Sequence, residues 1–309
     1  MFLVCGEALF DVFMTGRSGP AIDFQARLGG SPYNVAVGLA RLGAQVGFLG
    51  GISTDVLGRE IAAALAREGV NLRYVAHKAE RTTLSLVALN ETGVPAYTFY
   101  GEGNADRALT AADLPVALEG VTALHFGSYS LVRDPAAAAL LALARRESGR
   151  RLISLDPNVR PTVAPDLDLW RARLADWVAL AGMVKVSAED LELLYPAEPP
   201  AAVAARWLTL GPALVIVTNG GEGATAFTAR HTVAVAAPRV PVADTVGAGD
   251  SFQAALLYKT AGWTTSDLAD LTPAALHAVL TFAVAAGAIA CTRPGADLPR
   301  LADIEGALM

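Results

Sequence analysis

Short β-branched runs alternate with alanine- and leucine-rich stretches along most of the 309 residues. Val46–Gly50, Ala123–Phe126, Leu152–Asp156, Met183–Val186 and Ala213–Thr218 read as strands. Between them, Leu57–Glu68, Asp134–Glu147, Leu169–Leu180 and Ala201–Leu210 have helical patterning. Alternation of this kind predicts an α/β fold of three layers with a mostly parallel central sheet. No repeat, low-complexity stretch or linker divides the chain, so one domain over 1–309 is expected. One region breaks the rhythm. Thr83–Leu89 and Ala96–Tyr100 are both strand-like, with Asn90–Pro95 and its Gly93 as the turn between them. A second extended piece runs from Val12 to Ala26. Inserted strands at about 12–26 and 83–104 could form a small β-sheet lid that keeps water from a ligand cleft; a plain surface hairpin is the competing reading.

Hydrophobic residues make up 53% of the chain, enough for an extensive core without disulfide or metal staples. Cys5 and Cys291 form no CxxC or Cys/His pattern, which suits a reducing cytoplasm and gives no structural zinc site. The net charge is −6, and the only basic runs are Arg145–Arg146 and Arg150–Arg151, so a nucleic-acid partner is not expected. Met1–Phe13 has Glu7 and Asp11 inside its apolar stretch and reads as a first buried strand rather than a signal peptide. Ala274–Cys291 is the one apolar run of membrane-span length; its alanine content and His277 make a buried core helix the better reading, and no membrane partner is expected.

The chemistry concentrates in Asp244-Thr245-Val246-Gly247-Ala248-Gly249-Asp250. It follows a strand-like run, Val233–Val242, and opens a helix continuing through Leu257. Small residues at 247–249 let backbone N–H groups approach an anion, and a helix N-terminus adds unpaired donors and a favourable dipole. Asp250 there is expected to be ionised, since the helix terminus lowers a carboxyl pKa and nothing in the sequence raises it. An ionised carboxylate beside an anion hole suits a base that takes a proton from an alcohol; an ordinary Asp cap after a glycine turn is the bland alternative. A second segment, Gly29-Gly30-Ser31-Pro32-Tyr33-Asn34 and onward to Gly43, reads as a helix with Ser31 at N-cap, Pro32 at N1 and Gly43 at C′. Asn34 in its first turn can meet a polar ligand.

These two segments resemble the N-terminal and C-terminal signatures of the PfkB carbohydrate kinases, and the likeness runs over essentially the whole chain. The resemblance implies a ribokinase-like α/β sandwich with a β-lid, Mg-ATP as phosphoryl donor, and Asp250 as catalytic base over an anion hole from Gly247, Ala248 and Gly249. It implies sugar contacts at Asp11, Gly29, Gly30 and Asn34. Arg160, in Asp156-Pro157-Asn158-Val159-Arg160, would face phosphate or substrate, and Tyr100 at the lid exit would face substrate. Thr218, Gly220 and Gly223, in Thr218-Asn219-Gly220-Gly221-Glu222-Gly223, would contact nucleotide, with Lys185, Ser187 and Gly295. Parsed instead as a dinucleotide fingerprint, that glycine stretch fails, because Thr225–Ala236 after it reads as strand and not helix. The family often has Asn-x-x-Glu near magnesium; here Lys185-Val186-Ser187-Ala188-Glu189-Asp190 offers Ser187 for the Asn and Asp190 or Glu189 for the carboxylate, acting through water. A monovalent cation such as K+ would sit among Asp244 and the carbonyls of Val246, Ala290, Arg293 and Gly295. Lid strands in such kinases often pair between subunits, which makes a homodimer the expected assembly.

With three lysines and no GxxxxGK[ST], a P-loop kinase is excluded, and a protein kinase fails for want of HRD and DFG. Three readings remain: a fructokinase, towards which GEALFD, GGSPYN, DPNVR and KVSAED lean; a 2-keto-3-deoxygluconate kinase; and a non-catalytic sugar sensor. An acidic sugar would want an arginine near the lid. The lid exit places Glu102 there, with Arg107 and Arg160 as the available cations. A sensor would not need Asp250 with its glycines.

Overall fold

The computed structural model describes residues 1–89 and 95–309. The turn expected at Asn90–Pro95 therefore lies almost wholly outside the described residues. The chain opens with β1 (Phe2–Cys5), β2 (Leu9–Ser18), β3 (Ala21–Gly29) and α1 (Ser31–Arg41). Then come β4 (Val46–Leu49), β5 (Gly51–Ser53), α2 (Val56–Arg67), β6 (Ala76–Lys78), β7 (Leu84–Leu89) and β8 (Pro95–Tyr100). The middle alternates β9 (Ala123–Gly127), α3 (Ala136–Glu147), β10 (Leu152–Asp156), α4 (Leu167–Leu180), β11 (Met183–Ser187), α5 (Ala188–Leu194), α6 (Pro200–Leu208) and β12 (Leu214–Thr218). The last part holds β13 (Ala224–Phe227), β14 (Thr232–Val235), α7 (Ala248–Lys259), α8 (Thr265–Ala269), α9 (Pro273–Cys291) and α10 (Leu301–Leu308).

Eight strands form one sheet in the order β14-β13-β12-β11-β10-β9-β1-β4. The six from β12 to β4 run parallel, and β13 and β14 close one edge as an antiparallel pair. Apolar runs such as Phe2–Cys5 and Leu214–Val217 are what a strand covered on both faces requires. One apolar cluster joins α1, α7 and α9 to one face, around Leu39, Phe252 and Leu280. A second joins α3, α4 and α6 to the other, around Leu140, Trp177 and Trp207. Helix α9 is long and apolar enough to cross a membrane by length and composition; it packs against α7, α10 and β14, as the core-helix reading expects.

The extended insertions pair as a four-stranded sheet, β3-β2-β7-β8, separate from the large one. A plain surface hairpin is thereby replaced by a sheet built from both insertions. Local structure departs from the sequence reading at three points, the first being Met1–Phe13, which is not one strand: β1 ends at Cys5 in the large sheet and β2 starts at Leu9 in the small one. The strand expected over Val233–Val242 stops at Val235, because Pro238 and Pro241 supply no N–H to a ladder. Ser31 is not the N-cap of α1: Gly30 holds that position at φ 102°, a conformation favouring glycine, and Ser31 is the first helical residue with its hydroxyl turned elsewhere. Gly43 does stand just past the helix, at φ 86°.

Candidate functional site

The residues with chemistry gather along the carboxyl edge of the parallel strands, where open α/β sheets bind ligands. Gly127 and Asp156 end β9 and β10 in register, and Ser187 and Thr218 end β11 and β12 in register. The chain leaves β1 for the small sheet and returns to β4 on one side, while β9 to β12 build out on the other. That switch point opens a crevice beside β1.

Gly247 takes a left-handed φ of 80°, and the space a Cβ would need is filled by Ala296. The turn sets Asp250 in the first turn of α7, pointing at α1. There the Ser31 hydroxyl donates to Asp250 Oδ1 and Asn34 Nδ2 to Oδ2, both at 2.7 Å. Ser31 and Asn34 are three apart on α1, so both project from one side of it. The expectation of a lowered Asp250 pKa fails: burial pushes it up, Asp156 adds to this, and the Ser31 and Asn34 donors with Lys185 pull only part of the way back. Of the three expected hole donors, the Ala248 N–H is turned onto Thr245 O at 3.3 Å.

Lys185, expected at the nucleotide, is buried and donates to Asp156 Oδ2 at 2.8 Å. A Cβ on Gly249 would sit 3.2 Å from its Nζ, so the ammonium lies directly under the glycine turn. Burial works against that charge, but Asp156, Asp190 and Asp250 outweigh it and hold the pKa up. Asp156 is thus a site residue that sequence reading passed over, though its place at a strand end was a usable signal. Its Oδ1 is buried with no hydrogen-bond partner among the described residues.

Asp190 is buried and accepts from Val159 N–H at 3.0 Å, whereas Glu189 is exposed. Of the two, only Asp190 is turned into the protein, towards Asp156 and Lys185. Ser187 caps α5 through the Asp190 N–H. Burial and the nearby Asp156 raise the Asp190 pKa, while Lys185, Arg160 and Ser187 oppose it. No group of three His, Cys, Asp or Glu side chains among the described residues could hold a bare ion. A buried, partnerless Asp156 oxygen beside Asp190 does fit a hydrated divalent cation, which keeps most of its waters and takes one or two carboxylates.

At the other end of the crevice the Asp11 carboxylate packs against Gly29, in the space a Cβ there would take. Burial raises the Asp11 pKa, offset by the Ser85 hydroxyl and the Arg160 charge. Arg160 thus acts on both Asp11 and Asp190 from an exposed position. A Cβ on Gly30 would meet Glu7 O at 2.9 Å. Tyr100 is not brought into this group. It pairs with Leu84, one position off the Asp11–Ser85–Phe99 line, so it lies on the opposite face of the small sheet and is 56% exposed. Arg107 is also spoken for: it pairs with Glu102 at 2.9 Å and stacks over Phe99 and Tyr129. Glu102 further binds Arg133.

Thr218, Gly220 and Gly223 form the tight β12–β13 turn, where both glycines have positive φ. Asp244 accepts from Val246 N–H at 3.1 Å and Gly295 N–H at 2.8 Å. Its own N–H and that of Ala243 bond Cys291 O, and Ala290 O accepts from Arg293 N–H. The five residues expected around a monovalent cation therefore form one knot of loops.

A buried acid at a helix N-terminus, a lysine beneath a glycine turn and a small sheet over the crevice define an α/β phosphotransferase. Residues 3–303 match the pfkB family of carbohydrate kinases, and the chain belongs to that family. A fructokinase from Rhizobium leguminosarum bv. trifolii is 39% identical over 257 residues, covering 83% of this chain and 78% of the relative. A fructokinase from Xylella fastidiosa solved with bound ATP superposes with a TM-score of 0.92 at 30% identity, over 99% of this chain and 97% of that one. A fructokinase from Vibrio cholerae O395, solved with fructose, ADP and calcium, gives 0.84 at 29% identity, over 100% and 98%. The fold is ribokinase-like and the protein is a carbohydrate kinase.

Proposed function

We propose that this chain is a fructokinase that moves the γ-phosphoryl group of Mg-ATP to a fructose hydroxyl, with Asp250 as base. The observation that carries the reading is the setting of Asp250, buried at the start of α7 between Ser31 and Asn34, with Lys185 beneath the adjoining turn. The names and ligands of the relatives support fructose as acceptor.

In this reading the sugar lies between Asp11, Gly29, Gly30, Asn34 and Asp250, with Arg160 at its rim. Each carboxylate oxygen of Asp250 accepts one hydrogen bond and keeps a lone pair for the sugar proton. A pKa lifted by burial makes it a stronger base than a solvated aspartate, and the two donors keep it oriented. The Gly247 and Gly249 N–H groups and Lys185 face the negative charge of the transferring group. Thr218, Ser187, Gly220, Gly223 and Gly295 line the nucleotide. Asp190, with Asp156, would hold magnesium through water, and the ion when bound neutralises phosphate charge. A K+ ion would be held by Asp244 with the Val246, Ala290, Arg293 and Gly295 carbonyls. The unit is a single kinase domain with a lid, working in the cytoplasm as a homodimer through that lid.

The test is ADP release with Mg-ATP and fructose, 2-keto-3-deoxygluconate, ribose or adenosine at equal concentration. Fructose should dominate, and a preference for another acceptor would overturn the substrate. Asp250→Asn should bind sugar nearly as wild type and lose turnover by roughly 10²–10⁴-fold. A variant keeping most of its turnover would end the assignment of the base.

A further inference from the structure

We propose that Arg27, on the lid, binds the phosphates of the nucleotide and so couples lid closure over the sugar to nucleotide binding. Arg27 and Asp11 are direct partners across β2 and β3, so the two side chains share one face of the small sheet, the face towards the crevice. The guanidinium reaches away from the sugar end to the loop after α9. A Cβ on Gly295 would come within 2.7 Å of Nη1, so the end of the guanidinium lies against that loop. Gly295 N–H is bonded to Asp244, six residues before the proposed base, and the Arg27 charge helps to hold the Asp244 carboxyl low.

The side chain is aimed from the lid. Gln25 Oε1 accepts from Nε at 3.3 Å and Nη2 at 3.0 Å, and the Phe13 ring lies 5.5 Å under Cζ. These contacts leave Nη1 as the end that meets the loop. Among the described residues Nη1 has no side-chain hydrogen bond of its own, so that end of the guanidinium is open to an anion. A planar fork beside a glycine turn and a helix N-terminus suits a phosphate. An acidic sugar held by Arg27 is the rival, and the orientation towards Gly295 rather than Asp11 disfavours it.

The inference rests on the kinase reading above, so wild-type turnover with fructose is established first; its absence would end that reading and not this one, which is then read from binding alone. ADP affinity is measured by calorimetry with and without fructose, for wild type, Arg27→Gln and Arg27→Lys. Arg27→Gln should weaken ADP by roughly 10- to 100-fold. It should also remove any tightening of ADP by fructose, leaving fructose affinity within about twofold. Arg27→Lys should fall between, keeping charge without the fork. Unchanged ADP affinity in Arg27→Gln, or a loss confined to the sugar, would overturn the proposal. Because Arg27 is solvent-exposed, an unchanged thermal midpoint is expected for both variants.

Discussion

Asp250 could be found from the sequence, but its ionisation could not. The glycine turn and helix start are local, whereas the burial that lifts its pKa comes from the packing of α7 on α1, whose Ser31 and Asn34, 219 and 216 positions away, only partly offset it. Ser31 was misread for a related reason: a serine before proline is a good cap by local rules, and only the packing of α1 on α7 shows that its hydroxyl has another acceptor. Glu7 is the sharper case. It reads as part of an opening motif, yet it is 1% exposed with both oxygens partnerless among the described residues. The hydroxyls of Ser128 and Ser130 are close but not well aligned, and Asp106 adds a like charge. Burial first, and then Asp106, push its pKa from 4.5 to about 7. The fold therefore holds a proton that the unfolded chain releases near pH 4.5, and stability falls as pH rises from there to about 7, by a few kcal/mol at most. Glu7→Gln removes this titration. Its thermal midpoint should exceed that of wild type at pH 8 and converge with it near pH 4.5; a gap independent of pH would show that Glu7 is not the titrating group.

At the scale of elements, strand and helix positions in the large sheet were legible because each element is long and its period clean. The lid was harder. Its two insertions are adjacent only after β2 pairs in parallel with β7, and no local pattern encodes that pairing. Nor does pattern say which face of β8 meets the crevice, which is why Tyr100 was expected at the substrate and lies on the other side. The start of β7 in the small sheet is tied to α2 by Asp55. Its Oδ1 caps α2 through Gly58 N–H at 2.7 Å and accepts the Thr82 hydroxyl at 2.6 Å, while Oδ2 takes Thr82 N–H at 2.8 Å. Partial burial opposes the charge, but these donors win and lower the Asp55 pKa to about 2. Asp55→Ala loses a helix cap and strands the Thr82 donors, at a cost of about 1–3 kcal/mol. The deficit should be full at pH 7, where the carboxylate is ionised in both states. It should shrink as pH falls through 3.8 towards 2, where the wild-type advantage is itself lost. Thermal unfolding of both proteins at pH 7 and pH 3 reads this directly.

For the whole molecule, the two faces of the small sheet make different demands. The face with Asp11, Ser85 and Arg27 carries the sheet's polar groups towards the crevice, with Phe13 and Phe99 beside them. The opposite face carries Val12, Met14, Leu86, Phe24 and Tyr100, by the same alternation and cross-strand register. Phe24 and Tyr100 there are 50% and 56% exposed, with Ile22 at 41% further along β3. The inner part of this face, at Phe10, Val12, Leu28 and Leu84, packs on the core, whereas Ile22, Phe24 and Tyr100 leave its outer part uncovered. β3 is also an edge strand, with one side of its ladder open. A second copy of the same lid, related by a two-fold axis, can cover both features with one self-complementary contact. Phe24→Asp places a charge at the centre of that contact and leaves the crevice face alone. Sedimentation at micromolar concentration should then give a dimer for wild type and a monomer for the variant, with fructose affinity weakened because an uncovered lid is less well held. A wild-type monomer would refute the assembly; a variant that remains dimeric would move the interface away from the lid.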